Sequence, residues 1–282
     1  MVDKINRKRY FSNLYFFASI SIFTIFFIEY IEFLVDTLLG EKKLEIFNFF
    51  ILNISVFLAY FSLVFFRKKT KVPTKKVRSY LFVILALAII NFLFISENYN
   101  LIIQILIIDL GCIYIIFQIC KTFDQNPSNW LGLIRFDIKK SKYFLYYFWA
   151  WPLIIFWALI VEYLNIEVLK NSSYTQDIVE ALNNNYIIIF FLACIVAPLS
   201  EEIIFRGFIF KIIRQKYSTS IAIIINSFLF GIIHLSPSAI IPASILGAAL
   251  SIIRIKTNSV YGSIIIHSLH NLFALLITTQ AL

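Results

Sequence analysis

Runs of about 16–27 predominantly apolar residues recur along this chain, the length an α-helix needs to cross a hydrocarbon core of about 30 Å at 1.5 Å per residue. In hydrocarbon every backbone N–H and C=O must be satisfied internally, so only helices and closed barrels can span. A barrel would be written as shorter segments of alternating character, and these are absent from the sequence. The chain is 60% hydrophobic and 15% charged, with 31 Phe, where a soluble chain carries about 25% charged residues. The sequence therefore reads as all-α, a polytopic transmembrane helical bundle in a cell membrane.

Nine spans are predicted, at about residues 11–34, 46–66, 80–96, 101–120, 144–161, 186–211, 219–235, 239–254 and 260–279. The third is short, so the count is about eight to nine. The loops test the count. Arg67, Lys68, Lys69, Lys71, Lys75, Lys76 and Arg78 follow the second span, and Lys121, Arg135, Lys139, Lys140 and Lys142 follow the fourth. Lys211, Arg214 and Lys216 follow the sixth, and Arg254 and Lys256 the eighth; residues 162–185 hold four acidic residues and only Lys170 as a base. With a cytoplasmic N-terminus every basic loop falls inside. That distribution accounts for the net charge of +9 without a nucleic-acid partner, and implies attraction to anionic lipid of the bilayer.

The basic N-terminus looks like the start of a signal peptide. The apolar run after it is too long, contains Glu29 and Glu32, and lacks a small-residue cleavage site, so it is read as a retained first span. Cys112, Cys120 and Cys194 lie inside predicted spans and fit neither a disulfide framework nor a metal-ligand spacing. A short interfacial helix is expected around Trp130–Phe136. The stripe Ala243, Gly247, Ser251 reads as a close-packing helix face. Two parts are expected: N-terminal helices and basic loops over 1–143, and a core over 144–282 whose motif-bearing part is 186–282.

Inside the sixth predicted span stands Glu201-Glu202-Ile-Ile-Phe-Arg206. Ionisable residues at membrane depth mark a functional site by default. At about 100° per residue, Glu202 and Arg206 share a face and can neutralise each other, leaving Glu201 to point at another helix. All three histidines, His234, His267 and His270, fall in two later spans, His267 sharing a face with Asn271. From the cytoplasmic ends, Glu201, His267, Asn271 and His234 lie roughly 15, 12, 18 and 22 Å deep, close enough to meet near mid-membrane. A glutamate beside a histidine can deprotonate water aimed at an amide carbonyl. A second histidine and an asparagine can donate to the oxyanion that develops. A zinc version, with Glu201, His234 and His267 as ligands, stays open, although no His-Glu-x-x-His signature is present. A serine nucleophile would want a Gly-x-Ser-x-Gly turn, and an aspartyl dyad a second membrane aspartate beside Asp109; neither is written here.

Glu-Glu-x-x-x-Arg at 201–206, Phe-x-x-x-His at 230–234 and His-x-x-x-Asn at 267–271 together resemble the three motifs of the CAAX protease and bacteriocin-processing family of intramembrane endopeptidases, which includes the type II CAAX prenyl proteases and the Abi proteins. The resemblance covers about residues 186–282. It implies a helical core with a polar cavity that cleaves membrane-associated substrates. It also implies that Glu201 and His234 activate water and that His267 and Asn271 hold the oxyanion, with Glu202, Arg206 and Phe230 in support. His270 lies outside the pattern. The abundance of Ile, Lys and Asn fits an AT-rich bacterial genome, so processing or clearing of a secreted peptide, or self-immunity to a bacteriocin, suits the chain better than a prenylated substrate. Two other classes remain at this stage: a non-catalytic immunity or scaffold protein that keeps the motifs for folding, and a transporter using the same groups for ions or protons. The absence of an internal repeat weakens the second.

Overall fold

The computed structural model describes residues 2–39, 46–70, 72–94, 97–122, 126–166, 169, 187–188, 190–234 and 237–280. Among these, every regular element is helical. Most of the predicted acidic loop over 162–185 lies outside the described residues. Among the described residues, five helical stretches are long and apolar enough to cross a membrane: Phe11–Ile31, Phe50–Thr70, Ile138–Tyr163, Pro237–Thr257 and Val260–Ile277. The chain divides into two compact units, Met1–Asn126 and Pro127–Leu282.

The first unit contains α1 (Val2–Leu39), α2 (Ile46–Thr70), α3 (Thr74–Phe94) and α4 (Glu97–Lys121). Its core holds Phe16, Ile20, Ile84, Ile115 and Ile116. Facing outward, Phe57, Phe61 and Phe82 are 66%, 63% and 70% exposed. Large aromatic groups in that position suit hydrocarbon rather than water, since lipid tails exact no hydrophobic penalty for an outward apolar face. Hydroxyls inside the helices are satisfied locally: Ser19 Oγ and Thr24 Oγ1 donate to the carbonyls of Tyr15 and Ile20, four residues back. Cys112, Cys120 and Cys194 are all free thiols and buried, as their positions in apolar spans suggested.

The second unit opens with α5 (Pro127–Leu131). The sequence placed an interfacial helix later, at Trp130–Phe136. Two residues move it. Pro127 starts the helix where a missing N–H costs nothing, and Gly132 ends it at φ +81, a conformation that L side chains rarely adopt. A 3-10 helix (Ile138–Trp149) then runs directly into α6 (Ala150–Tyr163). This apolar run begins six residues before the predicted 144, because the Asp137 carboxylate caps it by accepting from Lys139 N at 3.0 Å. Pro152 stands in the first turn of α6, where it breaks no ladder bond.

Residues 190–214 form one helical run with two wide turns. A π segment (Leu192–Val196) leads into α7 (Ala197–Glu202), a second π segment (Ile203–Ile209) and α8 (Phe210–Arg214). There follow α9 (Thr219–Ile232), capped by the Ser218 hydroxyl, α10 (Pro237–Thr257) and α11 (Val260–Gln280). The α10–α11 turn is pinned to the segment after α5: Ser259 Oγ donates to Ile134 O at 2.7 Å and Val260 N to Gly132 O at 2.9 Å.

Helices α9 and α10 pack at glycine, as the small-residue stripe implied. A Cβ at Gly231 would lie 2.4 Å from the Ile240 carbonyl oxygen and 2.1 Å from Ser244 Oγ, whereas one at Gly207 would meet Leu131 O at a tolerable 3.3 Å. Gly231→Ala should therefore destabilise the protein by about 1–3 kcal/mol, the usual range for overpacking, and Gly207→Ala by clearly less. Thermal midpoints of the two variants in one detergent check the order.

Candidate active site

The site is built around a guanidinium with no accessible surface. Arg206 lies in the second π segment and is fully buried, as is Glu202 at the end of α7. Arg206 Nη1 donates to Glu202 Oε1 at 2.7 Å and Nη2 to the Gly247 carbonyl of α10 at 3.1 Å. Its Cζ stands 4.2 Å from the ring centroid of Phe230 on α9, a cation–π contact strengthened by the absence of water. The i,i+4 pair read from spacing is thus present. Its second acceptor, a backbone carbonyl on another helix, carries no mark in sequence apart from the glycine that exposes it.

From Glu202 the network passes to α11. His267 Nδ1 lies 3.0 Å from Glu202 Oε1, and its Nε2 lies 3.8 Å from Glu201 Oε2. A carboxylate oxygen only accepts, so Nδ1 carries the proton in the first contact. One imidazole therefore bridges two adjacent glutamates. The side-chain exposures separate those glutamates: 0% for Glu202 and 20% for Glu201. Glu201 thus keeps some exposed side-chain surface where Glu202 has none, although its Oε2 beside His267 is itself buried.

Phe230 is the hub of the aromatic groups. Its ring meets His267 at 5.7 Å, His234 at 5.1 Å and Phe205 at 5.3 Å between centroids, all close to edge-on. His234 Nδ1 donates to the Phe230 carbonyl at 2.9 Å. A carbonyl cannot donate, so this contact places the proton of a neutral ring on Nδ1 and leaves an Nε2 lone pair.

Asn271 sits one turn beyond His267. Its Nδ2 donates to Ala193 O at 2.8 Å, tying α11 to the first π segment. His270 turns elsewhere: Tyr147 Oη and His270 Nδ1 are 2.9 Å apart, with Trp151 beside the ring. So Glu201, Glu202, Arg206, Phe230, His234 and His267 form one continuous set of contacts. Asn271 joins it through the helix backbone, and His270 belongs to a separate aromatic group. Sequence reasoning did not find Gly247 as an acceptor or Tyr147 as a partner of His270.

The proposed zinc ligands Glu201, His234 and His267 do not form a metal-binding set. Among the described residues no three His, Cys, Asp or Glu side chains gather to hold one ion. His267 instead directs both ring nitrogens at glutamates.

Removing Arg206 would leave Glu202 buried without its cation. Arg206→Met should cost about 3–5 kcal/mol of stability, and Arg206→Lys, which cannot serve Glu202 and Gly247 with one planar fork, should also destabilise. The double variant Glu202→Gln/Arg206→Met should recover part of the loss, because the uncompensated charge is gone. Unfolding midpoints of the three variants give the coupling.

Residues 183–273 match a family model described as type II CAAX prenyl endopeptidase Rce1-like. The chain is 27% identical over 120 residues to the Bacillus subtilis protein named "Putative membrane peptidase YdiL", an alignment covering 43% of this chain and 49% of that protein. It is 35% identical over 133 residues to "UPF0177 protein YxdF" of Lactococcus lactis, covering 43% of this chain and 71% of that protein. The chain thus spans about half the length of the first relative and about two thirds of the second. No solved structure matches it. All three motif segments lie inside 183–273, and the apolar helices around them are those of a multi-pass membrane protein: the chain belongs to the CAAX protease and bacteriocin-processing family.

Proposed function

We propose that the protein is an intramembrane endopeptidase that hydrolyses peptide bonds of membrane-associated or secreted peptides by water activated at Glu201. One observation carries the reading: His267 is held between two glutamates, of which only Glu201 keeps exposed side-chain surface. The separation of 3.8 Å between His267 Nε2 and Glu201 Oε2 exceeds a direct hydrogen bond and leaves both atoms able to address the same water or carbonyl.

Glu201 takes a proton from water as the water oxygen attacks the scissile carbonyl carbon. The lone pair of His234 Nε2 is the second acceptor available to orient that water. The oxyanion that develops is met by the second N–H of the Asn271 amide, whose first is committed to Ala193 O, and, when the ring carries a proton on each nitrogen, by the Nε2–H of His267. Glu201 then returns the proton to the amide nitrogen as the C–N bond breaks, giving a carboxylic acid and an amine. Glu202 and Arg206 keep His267 in place and do not touch substrate. Eight to nine spans with a cytoplasmic N-terminus complete the reading. It is supported by the additional helices α3, α4 and α9, by the run 190–214, and by the basic residues that end α2, α8 and α10.

Glu201→Gln keeps the shape of a partly exposed side chain and removes the base. Cleavage of a fluorogenic membrane peptide by the purified protein should fall about 10²–10⁴-fold with the thermal midpoint little changed. Undiminished cleavage would sink the proposal, and immunity retained by Glu201→Ala cells without any cleavage would favour a non-catalytic role. Because the histidines and Glu201 do not gather as ligands, cleavage should also survive treatment with a zinc chelator; loss of activity restored by added zinc would contradict the mechanism written here.

A further inference from the structure

A second feature of the same unit lies beyond the peptidase chemistry. A cavity of about 340 Å³ opens beside the ends of α8 and α10 and is lined by Arg206, Lys211, Arg214 and Arg254. None of its lining side chains is acidic. Lys211, Arg214 and Arg254 stand in the last turns of their helices, where cations offset the carbonyl ends. Lys211 Nζ also donates to the Trp130 carbonyl. Among the described residues, no acceptor meets Arg206 Nε or Arg254 Nε, although both atoms are buried. An unmet charged donor in a buried place costs more than an ordinary missing hydrogen bond, and both arginines are among the residues that line the cavity. Arg206 is itself fully buried and held by the bonds its two Nη groups make to Glu202 and Gly247. Arg254 is shaped by Gly132: a Cβ there would lie 2.0 Å from Arg254 Nη2. The Arg254 side chain thus occupies the space of an absent side chain and reaches Leu131 O with Nη2 at 3.4 Å.

We propose that this cavity binds a phosphate-bearing anion, which the guanidinium groups of Arg214 and Arg254 would grip, with Lys211 and the buried Arg206 adding to the field. Planar guanidinium donors suit phosphate oxygens better than any other common cation of proteins. The location at helix ends, where basic residues meet the headgroup layer, makes an anionic phospholipid headgroup one source of that anion; free phosphate is the other. The inference does not depend on the peptidase reading, since the groups that would hold the anion, Arg214 and Arg254, take no part in the glutamate–histidine network.

The test uses the full chain purified in a neutral detergent, titrated separately with inorganic phosphate and with short-chain phosphatidylglycerol by calorimetry. Saturable binding is expected for at least one. Binding of both identifies the phosphate group as the determinant, of phosphatidylglycerol alone a lipid headgroup, and of phosphate alone a soluble anion. Arg214→Gln/Arg254→Gln should weaken that binding about tenfold or more, the worth of one lost charge-assisted contact. Asn258→Asp offers a milder probe that keeps the fold, because Asn258 lines the cavity, is exposed and has φ 56, which aspartate tolerates. It places a negative charge at the rim and should weaken binding as well. The proposal is overturned if neither probe binds, if binding is unchanged in both variants, or if acetate competes as well as phosphate.

Discussion

A buried guanidinium dictates most of what surrounds the motif helix. Carrying one charge to the middle of a membrane span costs about 2.5–3.5 kcal/mol on insertion scales, and a charge so placed needs partners on every side that water would have occupied. Arg206 finds a carboxylate on its own helix, a carbonyl on α10 and an aromatic face on α9. Each partner then imposes its own condition. The carbonyl is reachable because residue 247 is glycine: a Cβ there would stand 3.2 Å from Arg206 Nη2 and 3.1 Å from the Phe230 ring. The aromatic face must be flat and close, which Phe230 provides while also wedging the two histidines at fixed angles. The same interactions that neutralise Arg206 thereby hold α9, α10 and the motif helix together.

The widened turns of that helix belong to the same arrangement. A π turn bonds i to i+5 and is seen chiefly as a local bulge at functional sites. Here Leu192–Val196 and Ile203–Ile209 flank the six residues of α7 that carry both glutamates. The first π segment presents the Ala193 carbonyl to Asn271, so a bond that would otherwise be wholly internal to one helix is shared with α11. The second brings Gly207 against the Leu131 backbone of α5. Bulging the helix thus lets it approach neighbours on both sides of the glutamate pair without a break in the chain, which hydrocarbon would not tolerate.

The sequence made some of this visible and hid the rest for physical reasons. Helix content and membrane character were plain, because apolar run length is a property of the chain itself. The Glu202–Arg206 pair was plain because it lies within one helix and follows from rotation per residue. That Glu201 and His267 would meet was legible only as a coincidence of depth. What could not be read was the second acceptor of Arg206, since a backbone carbonyl has no letter, and the divergence of His267 from His270. Spacing of three allowed those rings to share a face, yet tertiary partners divide them, glutamates taking one and Tyr147 with Trp151 the other. The helix around Trp130 lies earlier than its apolar residues suggest, because Gly132 is a left-handed stop that a run of apolar letters does not reveal.

Two neighbouring glutamates look redundant until their surroundings are compared. On a helix they point about 100° apart, so a single setting cannot serve both. Glu202 faces the cation and is wholly buried; any proton it took up would leave Arg206 without its counter-charge, so its chemistry is locked to holding the fold. Glu201 faces away, keeps some exposure and lies against the far nitrogen of His267. The imidazole is the one common side chain that can address both directions at once, since its two nitrogens lie on opposite edges of a rigid ring. A change at Glu202 is therefore felt at Glu201 through the orientation of His267, with no movement of the helix. If Glu201 is the base proposed above, stability and reactivity fall to adjacent residues coupled through a third, and the motif then needs a pair of carboxylates where either function alone would need one.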